Sequence, residues 1–246
     1  PWPLALLRRL PSPPANSHDV RMKFIVALSL LLVLCAPAEA TLSAAMKAIE
    51  RGHYATAARA LKQPAEAGDT RAQNNLAYLY EHGLGVPRSL NDALAWYRKA
   101  AEGGLPAAQY NLGTFHYRGQ GVAQDTELAC KWFESAANAG YTDAEYMSGE
   151  CLRSGARRDP ALALSWYLKA ARKGHVSAQL MAASLYLSGE GWRSEPYKAL
   201  IWAEVARQNG EAQAAALVAR AERGLREPEK SAAVQQASLC IRSGYR

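Results

Sequence analysis

The side chains best able to do chemistry in this chain are five histidines and four cysteines. A metal site on a helix needs such residues to converge, typically at a spacing of four. His18, His53, His82, His116 and His175 show no such pairing with each other or with cysteine, so no metal or cofactor is expected. A nucleophilic serine needs an activating frame, and neither a Gly-x-Ser-x-Gly elbow nor a Ser-x-x-Lys pair is present. Gly83-x-Gly85 and Gly119-x-Gly121 superficially suggest phosphate loops. Without a strand in front of them they read instead as turn glycines. Acidic residues fall at helix caps and exposed positions rather than in a convergent pair. No catalytic residue is assigned, and the chain is expected not to be an enzyme.

Composition bounds what must position any site. The chain has 246 residues, 49% hydrophobic and 21% charged, which suits a folded protein and argues against disorder. Arg21 and Lys23 precede a run, Phe24 to Cys35, that is apolar but for Ser29, and Ala38-Glu39-Ala40 follows. That run of 12 residues is too short to cross a bilayer core of about 30 Å. A basic start, a short apolar core and an Ala-x-Ala end read as a secretory signal peptide, residues 22–40, cut after Ala40. Residues 1–21 read as an upstream, non-native, disordered extension. The expected product is exported, periplasmic or secreted, with no transmembrane segment. Removing residues 1–40 takes away four basic and two acidic residues, so the net charge falls from +7 to +5. The remaining basic residues are scattered, as on solvated helix faces. They are weak support for an acidic polysaccharide partner, and export makes nucleic acid an unexpected one.

Internal periodicity decides the fold. Glycines recur at Gly68, Gly104, Gly140, Gly174 and Gly210, spaced 36, 36, 34 and 36. Four residues after each stands an alanine: Ala72, Ala108, Ala144, Ala178 and Ala214. Tryptophans keep the step at Trp96, Trp132, Trp166 and Trp202. With Ala72 as position 0, Leu76, Leu79 and Tyr80 form one helical face. Position +5 is small in every unit (Ala77, Gly113, Gly149, Ala183), which predicts close approach of another backbone. Gly83, Gly119, Gly155 and Gly189 are placed to end the first helix in the left-handed region. Ser89, Asp125, Asp159 and Glu195 then begin a second helix, where Ser and Asp can cap free N–H groups. Each helix is marginal alone, and stacking lets the pairs share one core.

The stretches Ala72-Gln-Asn-Asn-Leu-Ala-Tyr-Leu-Tyr80, Gly83-Leu-Gly-Val86 and Ala93-Leu-Ala-Trp-Tyr-Arg-Lys-Ala-Ala-Glu-Gly103 resemble the Sel-one-like repeat (SLR), a relative of the tetratricopeptide repeat. The likeness covers roughly residues 42–225. It implies an all-α, right-handed α-solenoid of about five helix-turn-helix units over residues 41–225, closed by a capping helix and tail at 226–246. It also implies a non-enzymatic scaffold or adaptor of the cell envelope that binds a protein or peptide partner in a concave groove lined by the first helices. Alternatives are the penicillin binding or β-lactam hydrolysis assigned to some exported cysteine-rich relatives, and polysaccharide binding in envelope assembly. The third unit departs from the pattern: its internal turn is two residues short and carries Arg157 in place of the second glycine.

The groove reading selects positions +2, +3, +6 and +10 of the first helices. These include Asn75, Tyr78 and His82, then Tyr110, Asn111, Thr114 and Arg118, then Tyr146, Met147 and Glu150, and finally Met181. Tyrosine, methionine, asparagine and arginine are types enriched at recognition surfaces. The competing reading is an ordinary solvated face. Cys130 and Cys151 both align with core leucines, either as two buried thiols or, in an oxidising compartment, as a disulfide. Cys240 has no evident partner, and His116 occupies a core-like position in which a satisfied, non-catalytic ring is expected.

Overall fold

The computed structural model describes residues 38–190 and 193–245, which hold twelve α-helices and no strand. An opening pair, α1 (Ala38–Glu50) and α2 (Tyr54–Glu66), precedes four repeats. Their first and second helices are α3 (Thr70–His82) with α4 (Leu90–Glu102), and α5 (Pro106–Arg118) with α6 (Thr126–Asn138). Then come α7 (Thr142–Ser154) with α8 (Pro160–Ala171), and α9 (Val176–Ser188) with α10 (Pro196–Gln208). The short α11 (Ala214–Glu222) and the terminal α12 (Glu227–Arg242) finish the chain. Consecutive helices pack together from α1 to α11, and α12 returns onto α10. This is an α-solenoid. The expected extension and nearly all of the expected signal peptide lie outside the described residues. Helix α1 begins at Ala38, three residues ahead of the boundary expected after Ala40.

The ladder residues build the core. Ala72, Ala108, Ala144, Ala178 and Ala214 are each fully buried, as are the second-helix alanines Ala93, Ala129, Ala163 and Ala199. Small side chains at these points let each helix sit close to its neighbour. The hydroxyl of Ser89 accepts the Asp92 N–H, and the carboxylates of Asp125 and Asp159 accept those of Leu128 and Leu162, which closes three second-helix starts. Glu195 does not cap; its carboxylate pairs with Lys198 at 2.6 Å.

One turn expectation is corrected. Gly83, Gly119 and Gly189 end their helices in the left-handed region, but Gly155 is extended. The missing two residues of that turn leave the chain no room for the usual reversal. At position +5 the expected close approach is found, made by an aromatic ring of the second helix and, at Gly113, also by the Ala129 backbone carbonyl, 3.2 Å from where a methyl group would sit. A methyl group on Gly113 would meet Phe133 at 2.8 Å, and one on Gly149 would meet Tyr167 at 2.6 Å.

A buried amide fastens each unit to the one before. Gln73, Gln109 and Gln179 donate from their side chains to the carbonyls of Ala65, Ala101 and Ala171, near the ends of the preceding second helices. Each of those carbonyls also accepts the backbone N–H of the ladder glycine just past its helix (Gly68, Gly104 or Gly174), so the amide is a second donor that crosses from the next unit. The third unit has Glu145 at this place.

Candidate functional site

The first helices are bridged side by side. Asn75 of α3 reaches the Met46 sulfur of α1 at 3.1 Å, and Asn111 of α5 donates to Asn74 of α3 at 3.0 Å. These contacts tie α1, α3 and α5 side by side through side chains.

On that face the expected groove residues divide into two groups. Tyr78 is 43% exposed, and His82 and Arg118 are also exposed. The Tyr78 and His82 rings lie 4.2 Å apart, with His82 Nδ1 at 3.0 Å from the Tyr78 carbonyl, so one turn of helix presents them as a unit. The others are half-buried and engaged. Tyr110 packs on Tyr141 and Phe133 with ring centroids 5.3 and 5.6 Å away. Thr114 donates back to the Tyr110 carbonyl. Met181 joins the packing around Ala182 and Leu180, and Met147 is half-buried. Glu150 accepts from the Tyr167 hydroxyl at 2.5 Å and from Arg153 at 2.8 Å. Burial first, and Glu150 second, push the Tyr167 phenol well above its usual range, while the bond to Glu150 raises Arg153 further. The phenol stays protonated beside a charged Glu150–Arg153 pair, and the three together fix α7 to α8.

Tyr146 stacks on His175 with centroids 4.7 Å apart. His175 Nδ1 accepts the Ala178 N–H, and its Nε2 lies 3.7 Å from Asp143. The ring therefore caps α9, which places its proton on Nε2 facing the carboxylate. Burial lowers its pKa, against the opposing pull of Asp143. The partners described for this ring are a helix amide, Asp143 and Tyr146, an arrangement suited to positioning a helix. Sequence reasoning missed one exposed aromatic on α5, Tyr117 (41% exposed), at position +9 beside the chosen rows. Position +9 lies next to +2 on the helical wheel, and taking that row as well would have found it.

His116 is buried, and its Nδ1 has no partner among the described residues, so the satisfied ring expected there is corrected. It takes a position that holds Tyr80 and Tyr186 in other units, and an imidazole is too short to carry its polar atom out to the surface. Cys130 and Cys151 are joined by a disulfide with Cα atoms 5.9 Å apart, tying α6 to α7 across a unit boundary. Cys240 is a half-buried free thiol. The described residues contain no cluster of metal-ligating side chains and no helix long and apolar enough to cross a membrane.

Stacked helix pairs with polar side chains along one face define a repeat protein whose recognition is spread over a surface. The chain belongs to the Sel1 repeat family, whose model matches four times, at residues 70–105, 106–141, 142–175 and 176–211. It is similar to the solved Sel1 repeat protein from Oxalobacter formigenes, at 30% identity and a TM-score of 0.69, over 72% of this chain and 74% of that one. It is also similar to c5321, a protective antigen of uropathogenic Escherichia coli displaying an SLR fold, at 31% identity and a TM-score of 0.65. That match covers 76% of this chain and only 41% of the antigen. No curated protein matches significantly. Proteins of this family are generally protein-interaction scaffolds and typically not enzymes.

Proposed function

We propose that the chain is an exported, non-enzymatic scaffold of the cell envelope, periplasmic or secreted, that holds a protein or peptide partner against its first helices. The observation that carries this reading is the contrast along that face. Tyr78, His82 and Arg118 are free to contact a partner, while Asn75, Asn111, Tyr110 and Glu150 are already tied down around them. A face whose supporting residues are fixed loses little freedom on binding. Export is supported by the apolar run Phe24 to Cys35 with its Ala-x-Ala end, and by a Cys130–Cys151 disulfide of the kind that persists in oxidising compartments.

The test is affinity capture from an envelope extract with the wild-type chain and with Tyr78→Ala combined with Arg118→Ala. Both positions are exposed, so the double variant is expected to keep its unfolding temperature and lose its partner. Unchanged capture by a folded double variant would remove this face from the account.

A further inference from the structure

Three departures from the repeat pattern converge on one place in the third unit. Position +4 is Leu76 and Leu112 in the first two units but Ser148 in the third. Position +7, a leucine or phenylalanine elsewhere, is Cys151. The turn lacks the valine that Val86 and Val122 supply. In the first unit the corresponding hollow, between α2 and α3, is lined by Leu76 and covered by Val86, and holds about 140 Å³. In the third unit the cleft between α6, α7 and the Gly155–Arg157 turn opens to about 400 Å³ along the disulfide. A smaller hollow adjoins it across Cys130, Cys151, Leu152 and Arg157, which line both. Its walls include Trp166, and its edge carries Leu162, an apolar side chain left 46% exposed. Ser148 lines this hollow while only 3% exposed, and its hydroxyl has no partner among the described residues.

We infer that this paired hollow is a subsite for a tyrosine side chain of the partner polypeptide, an inference that rests on the scaffold reading above. The larger hollow lies within the roughly 300–1,000 Å³ of small-ligand sites, and the inner one at Ser148, about 60 Å³, admits only the tip of a ring. The walls are apolar and carry sulfur, which favours the edge of an aromatic ring. The charges at the rim are mutually paired, Lys131 with Glu127 at 2.9 Å and Arg157 with Glu134 at 3.4 Å, so a neutral occupant suits it best. Ser148 sets the end group. A phenol brings both a donor and an acceptor to the stranded hydroxyl, whereas a phenylalanine ring leaves it unpaired as before.

The test uses the full chain and ligand-observed NMR titration with N-acetyl-tyrosinamide and N-acetyl-phenylalaninamide. The tyrosine amide is expected to bind about tenfold more tightly than the phenylalanine amide. Ser148→Leu, which restores the residue of the first two units, is expected to abolish binding of both without lowering the unfolding temperature. Ser148→Ala, which keeps the hollow, is expected to leave phenylalanine binding in place and erase the preference for tyrosine. Absence of tyrosine binding, equal affinity for the two amides, or undiminished binding by a folded Ser148→Leu chain would each overturn the assignment. Partner loss in the Tyr78→Ala, Arg118→Ala chain, combined with no tyrosine binding by the wild type, would reject this subsite and leave the scaffold reading standing.

Discussion

Glu145 meets Lys173 at 2.7 Å at the place where the other three repeats bury a glutamine. The ammonium also donates to the Gly140 carbonyl at 2.9 Å, and the second carboxylate oxygen of Glu145 is buried without a partner among the described residues. A carboxylate cannot donate to a helix-end carbonyl as an amide does; Lys173, just past α8 of the same unit, instead donates to both the carboxylate and the Gly140 carbonyl. Removing Lys173 strands a nearly buried charge, and Lys173→Ala is expected to destabilise by about 2–3 kcal/mol. In a Glu145→Gln background, where the amide can reach Ala137 as its counterparts do, the same change is expected to cost little. Urea denaturation of the double-mutant cycle measures the coupling.

The two glycines at position +5 should respond differently to alanine. Alanine gains about 1 kcal/mol over glycine in a helix interior, which the ring contact opposes. Phe133, opposite Gly113, has no hydroxyl to anchor it and can shift. Tyr167, opposite Gly149, is held by its bond to Glu150. Gly113→Ala is expected to be nearly neutral, and Gly149→Ala to cost about 2 kcal/mol or more, read by thermal unfolding.

Stability should fall on mild acidification. Burial holds His175 below its ordinary value of 6.5, and His116 is shifted the same way by burial and by Arg98. The unfolded chain therefore binds more protons than the folded one just below that value, and folding stability rises with pH there. The contribution is complete above about pH 7 and is lost as pH falls through the folded-state values. His175→Asn keeps a capping acceptor without titrating, and is expected to flatten part of the slope between about pH 7 and pH 5 in urea titrations.

The Cys130–Cys151 bond spans a sequence separation of 21. A cross-link of that size contributes on the order of 3 kcal/mol by constraining the unfolded chain. Cys130→Ala with Cys151→Ala is expected to lower stability by about that amount while keeping the helical signal. Non-reducing alkylation of the wild type should label Cys240 alone among the three cysteines of the described residues, and labelling of all three would contradict the bond.

The repeat, its helix pairs and the core alanines were legible because each is dictated locally and recurs. An alanine that returns every 34 or 36 residues, always four after a glycine, marks the same helix of successive units. The face was less legible. Helical geometry selects which residues lie together, but not which of them a neighbouring unit has already engaged. Tyr110 and Tyr146 look like exposed aromatics in a row, yet Tyr141 and His175 of the following units cover them. Gly155 shows the same limit: its type matched a left-handed cap, and the shortened turn after it overrode that preference. The stranding of Ser148 depends on packing between helices that no single stretch of sequence encodes, whereas the His175 cap is local and is hidden by a residue type uncommon at helix starts.

The docking face is tested most directly by photo-crosslinking in the producing cells. A photoreactive phenylalanine analogue would replace Tyr78 on α3 in one chain and the exposed Arg98 on α4 in another. The expected result is a discrete covalent polypeptide adduct from position 78 and none from position 98. Adducts confined to position 98, or none at 78 from a folded and correctly located chain, would contradict recognition through the first helices.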